Sequence, residues 1–261
     1  MNDAYKRVRA ARQKDRTTSM FYISRIFDGF LEMHGDRRFG DDRAVVAGVA
    51  ELNGVPVTVI GIEKGVEIEE KIVRNFGSAH PEGYRKALRQ MKLAEKFHRP
   101  VICFIDTSGA YPGIGAEERG QGLAIAENLV AMMGLKAPII SILIGEGGSG
   151  GALALGVADR VWMLENAVYS VITPEGAASI VWKDAGKAAE ASAALKLTAK
   201  DLYGFGFVER VFSEENGDFA KVAKTLRAAL IKELKILSAK TPAELTRDRY
   251  QRFRTMGGQE Q

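Results

Sequence analysis

Two neighbouring stretches of the chain repeat one pattern: a short apolar run, a glycine-rich loop and a helical segment. The first is PVICFID, the loop TSGAYPGIG (residues 107–115, the first glycine loop) and a helix over residues 116–133. The second is APIISILI, the loop GEGGSG (residues 145–150, the second glycine loop) and GALALGVAD. Successive strand–loop–helix units predict an α/β fold with largely parallel strands. Both loops should then meet at the carboxyl ends of the strands, where ligands of such sheets bind.

The remaining periodicity predicts the elements around these two units. Apolar positions at helical spacing predict a helix from Thr18 to about Met33. Apolar strands flanking Asn53-Gly54 predict a hairpin, and glycines predict a loop over residues 65–80. A helix should begin at Pro81 and end at Pro100. Further strands are predicted at RVWML and AVYSVIT, helices near residues 174–182, 185–203 and 216–237, and a charged tail from about Thr241.

Length and composition predict one domain of ordinary globular type. The 261 residues are 46% hydrophobic and 27% charged, and no stretch rich in Pro, Gly or Ser marks a boundary. We expect a basic N-terminal arm or short helix over residues 1–17 and a single domain over residues 18–261. No apolar run is long enough for a membrane span and no signal peptide opens the chain, so no membrane association is expected.

The inventory of metal-binding and redox residues is small. The single cysteine, Cys103, lies in an apolar run, which excludes an internal disulfide and predicts a core thiol. One reduced thiol is typical of a cytoplasmic protein, and we expect that location. No cluster of Cys, His and carboxylates has metal-ligand spacing, so no metal is expected on this chain.

The formal net charge of +4 is concentrated in two segments. Residues 6–16 hold six Lys or Arg residues and residues 71–99 hold eight. Two interpretations stay open: solvated helix faces, or surfaces that attract a phosphate-bearing substrate or an acidic partner. No motif alternates aromatic residues with these charges, so nucleic acid is not an expected partner.

The second glycine loop fits two motifs of side-chain or cofactor chemistry. As G-x-G-x-x-G it fits a dinucleotide-binding loop, with Glu165 twenty residues beyond Gly145 as the ribose-binding carboxylate. Against this, the intervening helix is short, and the motif follows a hairpin and another glycine loop that such a fold does not need. As G-x-S-x-G it fits a nucleophile elbow at Ser149, but all three histidines lie upstream of that serine.

A third interpretation is an oxyanion hole, which needs only main-chain N–H groups. It accounts for the presence of two loops. An N–H of Gly113 or Ile114 in the first loop, and one of Gly150 or Gly151 at the end of the second, could each donate to a single oxygen. The alternative is that both loops are only tight turns between strand and helix. The residues alone leave both open.

Four long motifs carry a family resemblance. RNFGSAHPEGYRKALRQMKLAEKF, FIDTSGAYPGIGAEERGQG, IGEGGSGGALALG and YSVITPEGAASIVWKDA resemble the α subunit of the carboxyltransferase of bacterial and plastid acetyl-CoA carboxylase. The resemblance runs from about Phe27 to Arg254 and implies a crotonase-like (ClpP/crotonase) fold, a superhelix of β-β-α units with flanking helices. It implies an enzyme that moves a carboxyl group from carboxybiotin to acetyl-CoA, giving malonyl-CoA for fatty acid biosynthesis. The sequence departs from the family at Ser108, where a proline is expected, and in KGVEIEEK, which is less basic than expected.

The resemblance also implies site residues and partners. The residues that would supply N–H groups to the ureido oxygen of biotin are Gly113, Ile114, Gly150 and Gly151. The residues that would bind substrate are Gly147, Gly148 and Tyr111. A biotin carboxyl carrier protein would present the carboxybiotin within an ATP-dependent complex that includes biotin carboxylase. A β subunit would hold the acetyl-CoA thioester, carry zinc and form an α₂β₂ heterotetramer with this chain.

Three other functions stay open from the sequence. The first is a self-sufficient crotonase-like acyl-CoA enzyme, for which Glu117 and Glu118 are the available glutamate pair. We interpret that pair as carboxylates at the start of a helix. The others are an NAD(P)-binding dehydrogenase subunit and a non-catalytic assembly subunit.

Overall fold

One mixed β-sheet forms the centre of the molecule, which is described here from a computed structural model over residues 2–258. The strands are β1 (Asp28–Glu32), β2 (Val45–Leu52), β3 (Val55–Ile62), β4 (Val101–Thr107), β5 (Ile139–Gly148), β6 (Arg160–Leu164), β7 (Val168–Ser170) and β8 (Arg210–Phe212). Their order is β1-β2-β3-β4-β5-β6-β8, and β7 pairs with the end of β5. The pairs β1–β2 and β2–β3 are antiparallel, whereas β3, β4, β5, β6 and β8 run parallel.

Helices cover the sheet. They are α1 (Asp3–Ala11), α2 (Ser19–Ile26), α3 (Ile68–Val73), α4 (Pro81–Lys96), α5 (Ile114–Glu118), α6 (Gln121–Gly134), α7 (Ser149–Leu153), α8 (Pro174–Trp182), α9 (Ala188–Leu195), α10 (Ala199–Gly204), α11 (Phe219–Ser238) and α12 (Pro242–Thr255). α4 packs against β2, β3 and α6, α11 packs against α2, and α8 packs against α9. Among residues 2–258, no helix combines the length and apolar character needed to cross a membrane.

The burial of the two central strands, β4 and β5, explains why their sequences are continuously apolar. Every residue of β4 is buried, as are the first seven residues of β5. Strands covered on both faces are expected as continuous apolar runs rather than as alternating ones. Cys103 lies in β4 with no exposed surface, and burial raises the pKa of its thiol to about 12. The prediction of a core thiol is confirmed.

The predicted hairpin and the helix after it are confirmed. β2 and β3 pair up to Leu52 and Val55, and the two residues between them, Asn53 and Gly54, have φ angles of 53° and 78°. Two positive φ angles are what a type I′ turn requires. Pro81 occupies the first turn of α4, where its missing N–H is not needed.

The single helix predicted from Thr18 to Met33 is wrong beyond Ile26. The chain becomes extended at Phe27, and residues 28–32 form β1 instead. These residues pair with the open edge of β2, with an irregularity after Asp28 where Gly29 has a φ of 60°. Pairing with a neighbouring strand gives the backbone hydrogen-bond partners that the helix would have given, so the periodicity of this segment was overridden by the sheet.

Two other predicted helices are interrupted. The helix predicted over residues 116–133 is divided into α5 and α6 at Gly120, which has a φ of 82°. The helix predicted over residues 185–203 is divided at Lys196, and Thr198 begins α10 with a capping box. The loop predicted over residues 65–80 contains the short helix α3.

The basic N-terminal segment is held against the body of the protein. Its helix α1 packs on α9 and β5. Arg12 makes ion pairs with Glu146 and Glu175, and Arg16 makes one with Glu214. Much of the positive charge near the start of the chain is therefore paired within the fold. The division into residues 1–17 and 18–261 stays a prediction.

Candidate functional site

The two glycine loops leave adjacent parallel strands at the same edge of the sheet. β4 and β5 pair along their length. The first glycine loop leads into α5, which begins at Ile114. The second is nearly all strand, because β5 continues to Gly148 and α7 begins at Ser149. The expectation that both loops lie at the carboxyl ends of parallel strands is confirmed.

Two glycines allow the loops to touch. A Cβ atom on Gly148 would lie 2.1 Å from the carbonyl oxygen of Ser108. A Cβ atom on Gly151 would lie 2.8 Å from the carbonyl carbon of Gly109. Cβ atoms do not approach backbone atoms so closely, so a side chain at either position would push the loops apart. These glycines fix the distance between the two loops.

The first turns of α5 and α7 hold main-chain N–H groups that have no acceptor. The first N–H groups of any helix lack partners within that helix. In the described part of the chain, the N–H groups of Ile114, Gly115 and Gly150 donate to no other group. Ile114 is 80% exposed and Gly150 is partly exposed, whereas Gly151 is buried. Of the four residues expected to form the oxyanion hole, Gly113, Ile114 and Gly150 are at least partly exposed, and Ile114 and Gly150 stand in the first turns of α5 and α7.

The three residues expected to bind substrate have different surroundings. Gly147 and Gly148 are the last residues of β5 and pair with Tyr169 and Ser170 of β7. Tyr111 lies in the first glycine loop with 36% of its surface exposed. Tyr111 is the one of the three that carries a side chain, and the two glycines lie at the end of β5.

The first glycine loop is braced by a segment that sequence reasoning assigned no role. The ring of Tyr111 stacks on His80 with 4.1 Å between ring centroids. The N–H of Tyr111 donates to the carbonyl of Ala79, and Gln121 Nε2 donates to the carbonyls of both Ala79 and Tyr111. The N–H of His80 in turn donates to Asp42. These contacts hold the loop that presents Ile114.

A network of charges joins the strands beneath the loops. Lys64 Nζ lies 2.7 Å from Asp106 Oδ1 and 3.1 Å from Glu146 Oε2, and Arg12 Nε lies 2.7 Å from Glu146 Oε1. Asp106 Oδ1 also accepts the N–H of Glu146. Burial acts to lower the pKa of Lys64, but the two carboxylates outweigh it and raise that pKa. The pKa of Glu146 is lowered, because Lys64 and Arg12 outweigh the effect of its burial.

The sequence could not predict this network, because its members are far apart in the chain. Arg12 is 134 positions from Glu146, and Lys64 is 82 positions from it. A cavity of about 330 Å³ opens beside the network. Basic side chains of Arg12, Lys14 and Lys71 line it together with Ser108 of the first glycine loop. The network therefore forms one wall of a basic cavity at the edge where both loops end.

The geometry does not suit the dinucleotide interpretation. Gly145 and Gly147 lie inside β5, whereas the dinucleotide motif needs its first glycines in the turn between strand and helix. The helix that follows, α7, has only 5 residues. Glu165 Oε1 accepts hydrogen bonds from the N–H of Glu214 and the hydroxyl of Ser213. This carboxylate holds the end of β8.

The nucleophile interpretation of Ser149 also lacks its partner. Ser149 has a φ of 49°, in the left-handed region. His34 lies 3.1 Å from Asp41, and His80 stacks on Tyr111. Within residues 2–258, no hydrogen bond joins Ser149 to a histidine. In the same residues, no group of three or more His, Cys, Asp or Glu side chains could hold a metal ion.

The sequence matches one family profile along almost its whole length. The family described as acetyl co-enzyme A carboxylase carboxyltransferase-like matches residues 2–257. The chain belongs to this family. A carboxyl transferase subunit alpha of acetyl-coenzyme A carboxylase from Ruminiclostridium cellulolyticum is 62% identical over 97% of this chain and 98% of its own. The corresponding subunit from Clostridium acetobutylicum is 58% identical over 97% of this chain and 94% of its own. The family resemblance read from the four motifs is confirmed.

Solved structures confirm the crotonase-like carboxyltransferase fold. Transcarboxylase 12S, with methylmalonyl-coenzyme A and methylmalonic acid bound, matches 88% of this chain at a TM-score of 0.72 and 21% identity. The chain spans 43% of that protein's length. The beta subunit of P. aeruginosa geranyl-CoA carboxylase matches 85% of this chain and 42% of its own at a TM-score of 0.67 and 18% identity. A Pseudomonas malonate decarboxylase hetero-tetramer in complex with coenzyme A matches 75% of this chain and 82% of its own, at a TM-score of 0.61 and 20% identity.

Proposed function

We propose that this member of the family is the α half of the acetyl-CoA carboxylase carboxyltransferase. It moves a carboxyl group from carboxybiotin, presented by a separate carrier protein, to acetyl-CoA, and the product is malonyl-CoA. The observation that carries the proposal is the set of free main-chain donors at Ile114 and Gly150, which follow two adjacent parallel strands. Family membership supports the reaction, and the donors support the part of it that this chain performs.

The donors would stabilise negative charge on the ureido oxygen of biotin. When the carboxyl group leaves, that oxygen gains charge, and N–H groups already fixed in place stabilise it without reorganisation. The biotin contributes the transferable carboxyl group. The chain contributes the position of the oxygen, through loops that Gly148 and Gly151 hold together and through the braced segment around Tyr111.

A second partner is needed because carboxyl transfer develops charge on both substrates. The acetyl thioester becomes enolate-like, and it needs a donor set of its own. We assign that set, and the zinc of this enzyme class, to a β subunit that assembles with this chain as α₂β₂. Reacting groups from two subunits must be fixed relative to each other, which requires a large and well-packed interface.

Replacement of Ile114 by proline tests the donor directly. Proline removes the N–H, and Ile114 is the first residue of α5, where proline is tolerated. The preceding residue, Gly113, has φ −76° and ψ 151°, the extended conformation that proline requires before it. Ile114→Ala is the matched control, because it removes the same exposed side chain and keeps the N–H.

The assay is malonyl-CoA-dependent carboxylation of a biotin derivative by the reconstituted two-subunit enzyme. Loss of one oxyanion donor should lower the rate of Ile114→Pro by about 10²–10³. Ile114→Ala should retain most of its activity, and both variants should melt like the parent protein. Equal activity of the two variants would show that this N–H is not a donor. Turnover by the isolated α chain would show that the site is not composite.

A further inference from the structure

A second concave surface, outside the glycine loops, is lined mainly by basic side chains. It is open to solvent, has a volume of about 480 Å³ and lies between the loop after β1 and the outer face of α4. Among the described residues, Asp36 is the one acidic residue that lines it. The basic residues that line it are Arg37, Arg38, Arg85, Arg89, Lys92 and Lys96. We name this surface the α4 basic cleft.

The carboxylate in the cleft is already neutralised. Asp36 is 5% exposed, and its Oδ1 accepts the N–H groups of residues 38, 39 and 40. Its Oδ2 lies 2.7 Å from Arg85 Nε. Arg85 and Arg119 also pair with Glu82, so this buried group contains two carboxylates and two guanidinium groups. It contributes no net charge to the cleft.

Four other cations in the cleft have no ion-pair partner. Within the described residues, Arg37, Arg89, Lys92 and Lys96 make no ion pair. Arg37 Nη1 and Arg89 Nη2 both donate to the carbonyl of His34, so two guanidinium groups converge on one oxygen. Burial and the charge of Arg37 lower the pKa of Arg89 and outweigh the opposite effect of Asp41 and Asp36. A bound anion would relieve the repulsion between the two guanidinium groups.

The spacing on α4 adds to this cost. Arg85, Arg89, Lys92 and Lys96 recur every three or four residues, so they form one stripe along the helix. Like charges at this spacing destabilise a helix unless an opposite charge lies among them. From Tyr84, whose hydroxyl lies against Gly151, Arg89 lies about 8 Å and Lys96 about 18 Å along the helix axis, at 1.5 Å per residue. The described residues that line the cleft include none from either glycine loop.

We propose that the α4 basic cleft binds an oligophosphate anion. The volume is that of a small-molecule site. Guanidinium forks and ammonium groups are the donors that phosphate prefers, and four unpaired cations match the charge of a triphosphate. Leu88 and Leu93 line the cleft, whereas no aromatic side chain does, so it lacks the stacking surface of a single-stranded nucleic acid site.

Calorimetric titration of the full-length chain with inorganic tripolyphosphate at low salt tests the proposal. The test variant is Lys92→Gln with Lys96→Gln, because within residues 2–258 neither lysine side chain makes a hydrogen bond. The matched control is Lys224→Gln with Lys232→Gln, two exposed lysines of α11 whose removal changes the net charge equally. We expect one bound anion per chain, weakened at least about tenfold in the test variant and unchanged in the control.

Further titrations, with ATP, with coenzyme A and with RNA or an acidic carrier protein, identify the source of the phosphate. ATP that binds more tightly than tripolyphosphate would support a nucleotide ligand, and equal binding would support a bare oligophosphate. The proposal would be overturned if tripolyphosphate did not bind and coenzyme A bound the parent protein and the test variant equally. It would also be overturned if the control variant bound tripolyphosphate as weakly as the test variant, since the effect would then be due to net charge alone. Binding of RNA or of an acidic carrier protein without tripolyphosphate binding would also overturn it.

Discussion

The backbone nitrogen of Ala110 lies 2.6 Å from the point where a Cβ atom on Gly151 would stand. The loop after β4 and the first turn of α7 are thus in direct backbone contact. Tyr84 Oη lies 2.9 Å from the same point and makes no hydrogen bond in the described structure. Glycine at position 151 is required by this packing, whatever its N–H does in the reaction.

Substitution of the two neighbouring glycines by alanine should therefore change the stability of the protein to different extents. Gly151→Ala should lower the free energy of unfolding by about 1–3 kcal/mol, because its methyl group meets backbone on two sides. Gly150→Ala should leave that free energy nearly unchanged, because the nearest atom to its Cβ is Cδ1 of Ile125 at 3.6 Å. Urea denaturation of the two variants measures the difference. Equal destabilisation would mean that the loops are not packed as described.

Ser149 is expected to contribute its backbone and not its hydroxyl group. Ser149→Ala should retain most of the carboxyl-transfer rate of the reconstituted enzyme, since no histidine is bonded to this serine in the described residues. Ser149→Gly should raise the free energy of unfolding, because glycine adopts a φ of 49° without strain. Loss of activity in the alanine variant comparable to that in Ile114→Pro would instead indicate a nucleophilic serine.

Dinucleotides should not stabilise the protein. The hydrogen bonds that Glu165 accepts from Ser213 and Glu214 hold its carboxylate at the end of β8. A ligand present at a hundred times its Kd would stabilise the fold by about 2.7 kcal/mol, which a thermal shift detects readily. We expect no shift with NAD or NADP at millimolar concentration. A clear shift that Glu165→Ala abolishes would restore the dehydrogenase interpretation.

Acid should weaken the fold through the pair formed by Asp41 and Lys86. Lys86 is fully buried, and its Nζ lies 2.6 Å from Asp41 Oδ1. Burial alone would raise the pKa of Asp41, but the hydrogen bonds from Lys86, Gly35 and His34 and the charge of Lys86 together outweigh it, and the pKa falls to about 2. A carboxylate with a lowered pKa stabilises the fold above its unfolded pKa, near 3.9, and that contribution is lost as pH falls towards 2.

The test compares the pH dependence of unfolding in the parent protein and in Asp41→Asn. The variant should be less stable at neutral pH, because it leaves the Lys86 ammonium without its carboxylate. It should also lose less stability than the parent between pH 4 and pH 2. Parallel curves for the two proteins over that range would show that Asp41 does not carry the lowered pKa.

Local sequence signals predicted the secondary structure correctly where the conformation depends only on a few adjacent residues. Asn53-Gly54 selects a tight turn whose two positive φ angles both residues tolerate, and Pro81 marks a helix start. The capping box at Thr198 is such a signal, and it could have divided the helix predicted over residues 185–203. The helical spacing of apolar residues wrongly predicted a helix over residues 28–32, because these residues pair with the open edge of β2.

The sequence by itself determined the fold class, the family and the position of both glycine loops at strand ends. These follow from patterns only a few residues long and from motifs long enough to be specific. Only the tertiary structure decided which glycine is free and which is packed, since Gly150 and Gly151 are equivalent in the sequence and differ in what lies against them. The same holds for Arg12, which sequence patterning could assign to a solvated face and which pairs with Glu146. Arg12 and Glu146 are 134 positions apart in the sequence, and only the folded chain brings them within hydrogen-bonding distance.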